Sequence, residues 1–296
     1  MTIEEKINMA NLVRNRDRFG PVSAEELAAL PGTETEMFIT TKSGKKVHVF
    51  EEKPDTKFDA MVINFHGGGF LKGRTDRDHR YASTIMAELS ALVWDIDYSL
   101  APENPFPYVA DEAYEIALYA TQHAEELGVN PDKIILAGHS AGGNLVASAL
   151  IKNAQTHELH PCCALMEYVP TDNTANPVER LSDELRQDPF WVKRAETEKL
   201  YTDFYVGESD PKDPRCSPCF ASEEELSAFP DSLIISADKD SLRDDTERFA
   251  FSLAKAGVCV TMKRVANAVH GFTVNRTDGW EEGLKLHYQF MKQHIN

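Results

Sequence analysis

Eight apolar runs of strand length punctuate the chain: Met37–Thr41, Lys46–Phe50, Ala60–Phe65, Ala91–Asp97, Lys133–Ala137, Cys162–Tyr168, Ser232–Ala237 and Val258–Val265. Several are continuous rather than alternating, such as Met-Val-Ile-Asn-Phe at 61–65 and Ser-Leu-Ile-Ile-Ser-Ala at 232–237. Strands covered on both faces read this way, because helices bury both sides of a parallel sheet. Between the runs, apolar residues recur at three- and four-residue spacing. They predict helices over Asp78–Leu89, Tyr108–Leu127, Ala141–Asn153, Leu242–Lys255 and Glu281–His294. Gly128 just past Leu127 suits a helix end, and Asn130-Pro131 leads into the next strand. Strand–helix alternation implies right-handed crossovers and an α/β fold, a mostly parallel eight-stranded sheet flanked by helices. The first two strands lie close together with Ser43-Gly44 between them, so an antiparallel hairpin is expected at the sheet start.

Two regions break this rhythm. Residues 1–30 read as a helical N-terminal arm. Residues 171–220 fall between two core strands and carry many prolines, Trp191, Phe204 and a helical piece over Trp191–Phe204. An aromatic insertion at that point predicts a small helical cap over a site. The expected organisation is a core of residues 31–170 and 221–296, a cap at 171–220, and an arm at 1–30 that contributes to the cap.

Charge narrows the partners. The net charge is −17 over 296 residues. An acidic surface repels phosphate backbones and anionic lipids, so neither nucleic acid nor a membrane surface is an expected partner. No apolar stretch approaches the ~18 residues of a transmembrane helix, and the first residues lack the apolar core of a secretory signal. The five cysteines, an odd number, fit a reducing compartment, so a cytoplasmic location is expected. Cys216-Ser-Pro-Cys219 has C-x-x-C spacing, but no second pair accompanies it, and it reads as two incidental loop cysteines.

The chemistry sits at strand ends. Lys133-Ile-Ile-Leu-Ala-Gly138-His139-Ser140-Ala141-Gly142-Gly143-Asn144 is a buried strand, a G-x-S-x-G turn and a helix start. A nucleophilic serine needs such a sharp turn. Its neighbours two residues away must lack side chains, because strand and helix backbones approach closely there. The helix N-terminus favours negative charge at the site. Upstream, a strand runs into His66-Gly67-Gly68-Gly69-Phe70. Consecutive glycines let backbone N–H groups approach the oxyanion that develops during acyl transfer. A phosphate loop would need a G-K-[ST] ending, which is absent.

Ser140 requires a base, and the base an orienting acid. Asp240 follows the strand at 232–237; Asp238, Asp244 and Asp245 compete for the same role. His270 follows the last strand, in Val269-His270-Gly271-Phe272. The order Ser, Asp, His is the one expected when loops at the carboxyl edge of such a sheet carry the site.

These motifs resemble the hormone-sensitive-lipase-like family of α/β-hydrolases. The likeness comprises His66–Gly69, Asp97-Tyr98-Ser99-Leu100-Ala101-Pro102-Glu103, Phe106-Pro107, Gly138–Asn144, Asp240–Asp244 and His270–Phe272, in order. It implies the α/β-hydrolase fold and a catalytic triad of Ser140, Asp240 and His270. It also implies an oxyanion hole from the backbone N–H groups of Gly67, Gly68 and Ala141, and a structural role for Tyr98–Glu103 in holding the glycine loop. Ser99 replaces an Arg usual in the family, and His139 stands where Asp is frequent; His139 is expected to pack in the turn. The implied activity is hydrolysis of short-chain, acetyl-type carboxylic esters of small molecules, with no metal or organic cofactor. An amide or formamide hydrolase on the same fold is the alternative. A noncatalytic receptor is a further one, disfavoured because receptor relatives lose the histidine that this chain keeps as His270. The motifs leave the oligomeric state open, a homo-oligomer included.

Overall fold

A computed structural model describes residues 1–16, 19–174, 176–181 and 183–296. Its centre is one eight-stranded sheet: β1 (Thr33–Thr40), β2 (Lys46–Lys53), β3 (Met61–Phe65), β4 (Leu92–Asp97), β5 (Ile134–His139), β6 (Cys163–Glu167), β7 (Ser232–Lys239) and β8 (Val260–Val269). The spatial order is β1-β2-β4-β3-β5-β6-β7-β8. β2 runs antiparallel to both neighbours, and every other pairing is parallel. The predicted hairpin forms, with Gly44 at φ +88° in its turn and Thr41 N–H donating to Lys45 O at 2.8 Å.

The continuous apolar runs account for the middle of the sheet. β3, β5 and β6 are buried at every position. Alternate side chains feed two apolar clusters, one on each sheet face. Val62, Val93, Ile135 and Leu165 pack on one side, against the Asp76–Leu89 and Trp280–Ile295 helices. Ile63, Trp94, Leu136 and Met166 pack on the other, against the Tyr108–Gln122 and Ala141–Thr156 helices. The sheet edges carry the surprises. β1 begins at Thr33 rather than Met37, because the polar Thr-Glu-Thr-Glu segment pairs with β2 on an exposed edge. The helix expected to reach Leu127 ends at Gln122. There the His123 N–H and ring Nδ1 both converge on Tyr119 O, and the chain continues as turns to Gly128.

Between β6 and β7 the insertion folds as short helices, Pro177–Arg180 and Asp183–Arg186, then a long one, Pro189–Val206. The long helix ends in the core: Phe204, Tyr205 and Val206 are buried in the same cluster as β3 and β5. The N-terminal helix Ile3–Arg14 buries Ala10 and Val13, and its Arg14 donates to Leu71 O and Ala101 O and pairs with Glu103. Among the described residues no helix is long and apolar enough to cross a membrane.

Candidate active site

Ser140 occupies the turn between β5 and the Ala141–Thr156 helix, with φ +54° and ψ −122°. A non-glycine residue rarely adopts this conformation, and the surrounding structure must hold it there. Its N–H donates to Glu167 O at 2.9 Å. The glycine spacing follows from contact distance. A Cβ on Gly142 would lie 1.8 Å from Phe65 O, so the helix start can press on the end of β3 only without a side chain.

Three strand ends converge. The Ser140 hydroxyl lies 2.8 Å from His270 Nε2, and His270 Nδ1 lies 2.7 Å from Asp240 Oδ2. An ionised carboxylate only accepts, so the ring proton sits on Nδ1 and Nε2 accepts from the serine hydroxyl. Asp240 is 4% exposed, and the Leu242 N–H donates to its other oxygen at 3.2 Å, which fixes the carboxylate plane. The competing acids are engaged elsewhere. Asp238 Oδ2 accepts from Asn267 N–H at 3.2 Å, Asp244 pairs with Arg243, and Asp245 pairs with Arg248. Tyr168 packs edge-on to His270, centroids 4.9 Å apart. Beneath them Glu167, fully buried, accepts from Thr273 in the turn after His270 and lies 3.0 Å from His287 Nε2 of the last helix. This polar group fastens the histidine turn to the sheet.

The glycine loop lies opposite, and its anchors agree with the role expected of Tyr98–Glu103. Tyr98 OH donates to His66 O at 2.9 Å, and Ala101 N–H donates to Phe70 O at 2.9 Å. His66 stacks on Tyr98. Its burial works against charge, but hydrogen bonding to Asp97 with the nearby Asp78 and Asp95 charges outweighs that and raises its pKa. The Gly67 N–H, expected as an oxyanion donor, donates to His139 Nε2 at 2.8 Å in this structure. His139 is therefore a polar partner of the loop as well as a packing residue. Ala141, first in its helix, has no intrahelical acceptor for its N–H. Among the described residues the Gly68 N–H also makes no protein hydrogen bond.

A cavity of about 250 Å³ opens beside Ser140 and His270, walled by Gly68, Tyr201, Thr197 and Leu242 among others, with Arg16 and Phe19 of the arm at its rim. Tyr201, Glu198 and Tyr205, all from the Pro189–Val206 helix, were not singled out by sequence reasoning. Ser241 donates to Glu198 at 2.7 Å, which ties the Asp240 loop to that helix. Cys216 is buried and Cys219 exposed, both as thiols. Among the described residues Glu34, Glu52 and His79 form the one group of metal-ligand type. The Arg74 guanidinium already stands 3.2 Å and 3.5 Å from the two carboxylates, where a metal cation would be repelled.

A mostly parallel eight-stranded sheet with a strained serine at its carboxyl edge defines a hydrolase architecture. A family model described as alpha/beta hydrolase fold matches residues 62–274, and the chain belongs to this family, in its hormone-sensitive-lipase-like branch. It is 30% identical over 268 residues to an AB hydrolase superfamily protein, C1039.03, of Schizosaccharomyces pombe, covering 89% of this chain and 77% of that one. It is 34% identical over 219 residues to the carboxylic ester hydrolase LipN of Mycobacterium tuberculosis, covering 72% of this chain and 57% of LipN. Among solved structures, an esterase of the archaeon Pyrobaculum calidifontis superposes with a TM-score of 0.82 at 25% identity, over 98% of this chain and 92% of that one.

Proposed function

We propose that this protein is a serine carboxylesterase that hydrolyses short-chain, acetyl-type esters of small molecules through an acyl-enzyme. The observation that carries the reading is the hydrogen-bonded line Ser140–His270–Asp240, with both contacts below 3 Å. Ser140 attacks the ester carbonyl while His270 Nε2 takes its proton. Asp240 keeps the imidazole in the tautomer with Nδ1–H and stabilises the imidazolium. The oxyanion is held by the N–H groups of Gly68 and Ala141. His270 then protonates the leaving alcohol and, in the second half, activates water.

The small cavity supports the short acyl preference, since drug-sized ligands need roughly 300 Å³ or more. Residues 171–220, with the arm at 1–30, act as the cap that limits what reaches Ser140. The test is labelling by a fluorophosphonate, located by mass spectrometry, with turnover of p-nitrophenyl esters from acetate to octanoate. Modification of Ser140 and a kcat/KM that falls with chain length are expected. Retained turnover in Ser140→Ala would sink the assignment. A matched anilide turned over as fast as its ester would replace esterase by amidase.

A further inference from the structure

The His66–Gly67 peptide is gripped at both ends. Its carbonyl accepts from Tyr98 OH at 2.9 Å, and its N–H donates to His139 Nε2 at 2.8 Å. The next peptide unit joins Gly67 to Gly68. Its carbonyl oxygen lies 2.6 Å from His66 Nδ1, so its orientation is fixed as well. A peptide is planar, and its N–H points opposite its carbonyl. Fixing Gly67 O therefore fixes where Gly68 N–H points.

His139 is an unusual device for this purpose. Its Nε2 is 2.8 Å from Gly67 N but 3.4 Å from Asp78 Oδ1. The shorter contact needs a lone pair on Nε2, which places the ring proton on Nδ1. Nδ1 is buried and has no hydrogen-bond partner among the described residues. An unsatisfied buried donor is costly, so the residue's gain must come from Nε2. The ring packs against the loop closely enough that a Cβ on Gly67 would sit 2.9 Å from His139 Cδ2. Tyr81 and Tyr168 enclose its other sides.

From this geometry we infer that His139 is a positioning residue for the oxyanion hole. By accepting from Gly67 N–H it removes that group from the donor set and clamps the loop. Gly68 and Ala141 are thereby presented as a rigid two-donor hole. The inference rests on the esterase reading of the site, and it assigns a role in which acceptor capacity at position 139 matters rather than bulk.

Two variants separate those possibilities. His139→Gln carries an acceptor oxygen about as many bonds from Cα as Nε2. His139→Leu fills similar space without one. Hydrogen exchange at the Gly67 amide, read by NMR on the full chain, reports the clamp independently of ester chemistry. In H139L, Gly67 exchange is expected to quicken, and kcat for p-nitrophenyl acetate to fall about ten- to a hundredfold with KM little changed, a loss just below that of a whole oxyanion donor. H139Q should stay within about fivefold of wild type on both readouts. Should H139L fail to fold, Tyr98→Phe loosens the other end of the same peptide by removing one oxygen. Unchanged Gly67 exchange in H139L would overturn the clamp. Faster exchange with unchanged kcat, or equal losses in H139Q and H139L, would overturn the catalytic role. A wild-type protein that turns over no ester, yet shows the exchange response, would fail the esterase reading and leave the clamp as architecture only.

Discussion

Tyr205 stacks on Phe70 with ring centroids 3.6 Å apart and planes 6° from parallel, while its hydroxyl donates to Asn144 Oδ1 at 3.1 Å. One residue of the Pro189–Val206 helix thus touches both the glycine loop and the helix that follows Ser140. Asn144 in turn donates to Pro170 O and Cys216 O, at the two ends of the insertion. The insertion between β6 and β7 is tied to the core by this hub. Removing only the hydroxyl, in Tyr205→Phe, should lower stability by about 1 kcal/mol, or more because Asn144 Oδ1 is left buried and unpaired. Chemical denaturation measures it. A variant as stable as wild type would show that the hub contributes nothing.

The triad assignment separates two aspartates two residues apart. Asp240→Asn keeps the shape but lets the wrong imidazole tautomer form, so kcat should fall by about 10³–10⁴. Asp238 accepts from a backbone N–H at the β7–β8 edge, and Asp238→Asn should cost less than about fivefold. Steady-state kinetics on an acetate ester decides. Equal losses would reassign the acid.

Much of this site was legible because the glycine loop, Ser140 and Asp240 each follow a continuous apolar run, and those runs become the strands β3, β5 and β7, whereas His270 follows the largely exposed β8. The choice of Asp240 over Asp238, Asp244 and Asp245 was not legible in the apolar pattern itself and leaned on the family resemblance. All four fall within eight residues, and only the turn after β7 decides which carboxylate faces His270. Nor was the role of His139 legible. Its partner Gly67 lies 72 residues away, and the contact depends on how the glycine loop settles on β5. Helix and strand ends slipped where side chains compete with the backbone, as at His123, or where an exposed edge strand lacks an apolar signal, as at Thr33–Glu36.

Gly142 offers a direct check on why the motif needs its glycines. An added Cβ meets Phe65 O at 1.8 Å and His66 O at 2.7 Å, both backbone atoms of the segment that carries the oxyanion loop. Gly142→Ala should therefore destabilise by more than about 3 kcal/mol or yield no soluble protein. Gly44→Ala meets open space and bears only the strain of φ +88°, which amounts to about 1–2 kcal/mol. Comparable melting temperatures for the two variants would refute the close-approach argument.

Glu52 gives a pH dependence with a definite sign. Burial first, and then the Glu34 carboxylate, push it from an ordinary 4.5 up to about 8, despite Arg74 nearby. The folded state then holds a proton that the unfolded state releases between those values. Stability from this group is present below about pH 4.5 and is lost as pH rises through about 8. Glu52→Gln mimics the protonated form at every pH. Its melting temperature should lie close to wild type near pH 5 and exceed it by roughly 5–10 °C near pH 9. A difference that does not grow with pH would contradict the shift.

Tyr201 sets the last wall. Its ring lies so close over the glycine loop that a Cβ on Gly69 would fall 2.5 Å from Cδ2, and it lines the cavity beside Ser140. Each methylene a pocket admits or refuses changes kcat/KM by about tenfold or more. Tyr201→Ala opens the wall without touching Ser140, His270 or either oxyanion N–H. The ratio of kcat/KM for hexanoate over acetate should rise at least about tenfold, chiefly through the longer ester. Fluorophosphonate labelling of Ser140 should stay near the wild-type rate, which separates a change of pocket from a damaged triad. An unchanged ratio would place the limit on chain length elsewhere, in the arm at Arg16 and Phe19 rather than in the long helix.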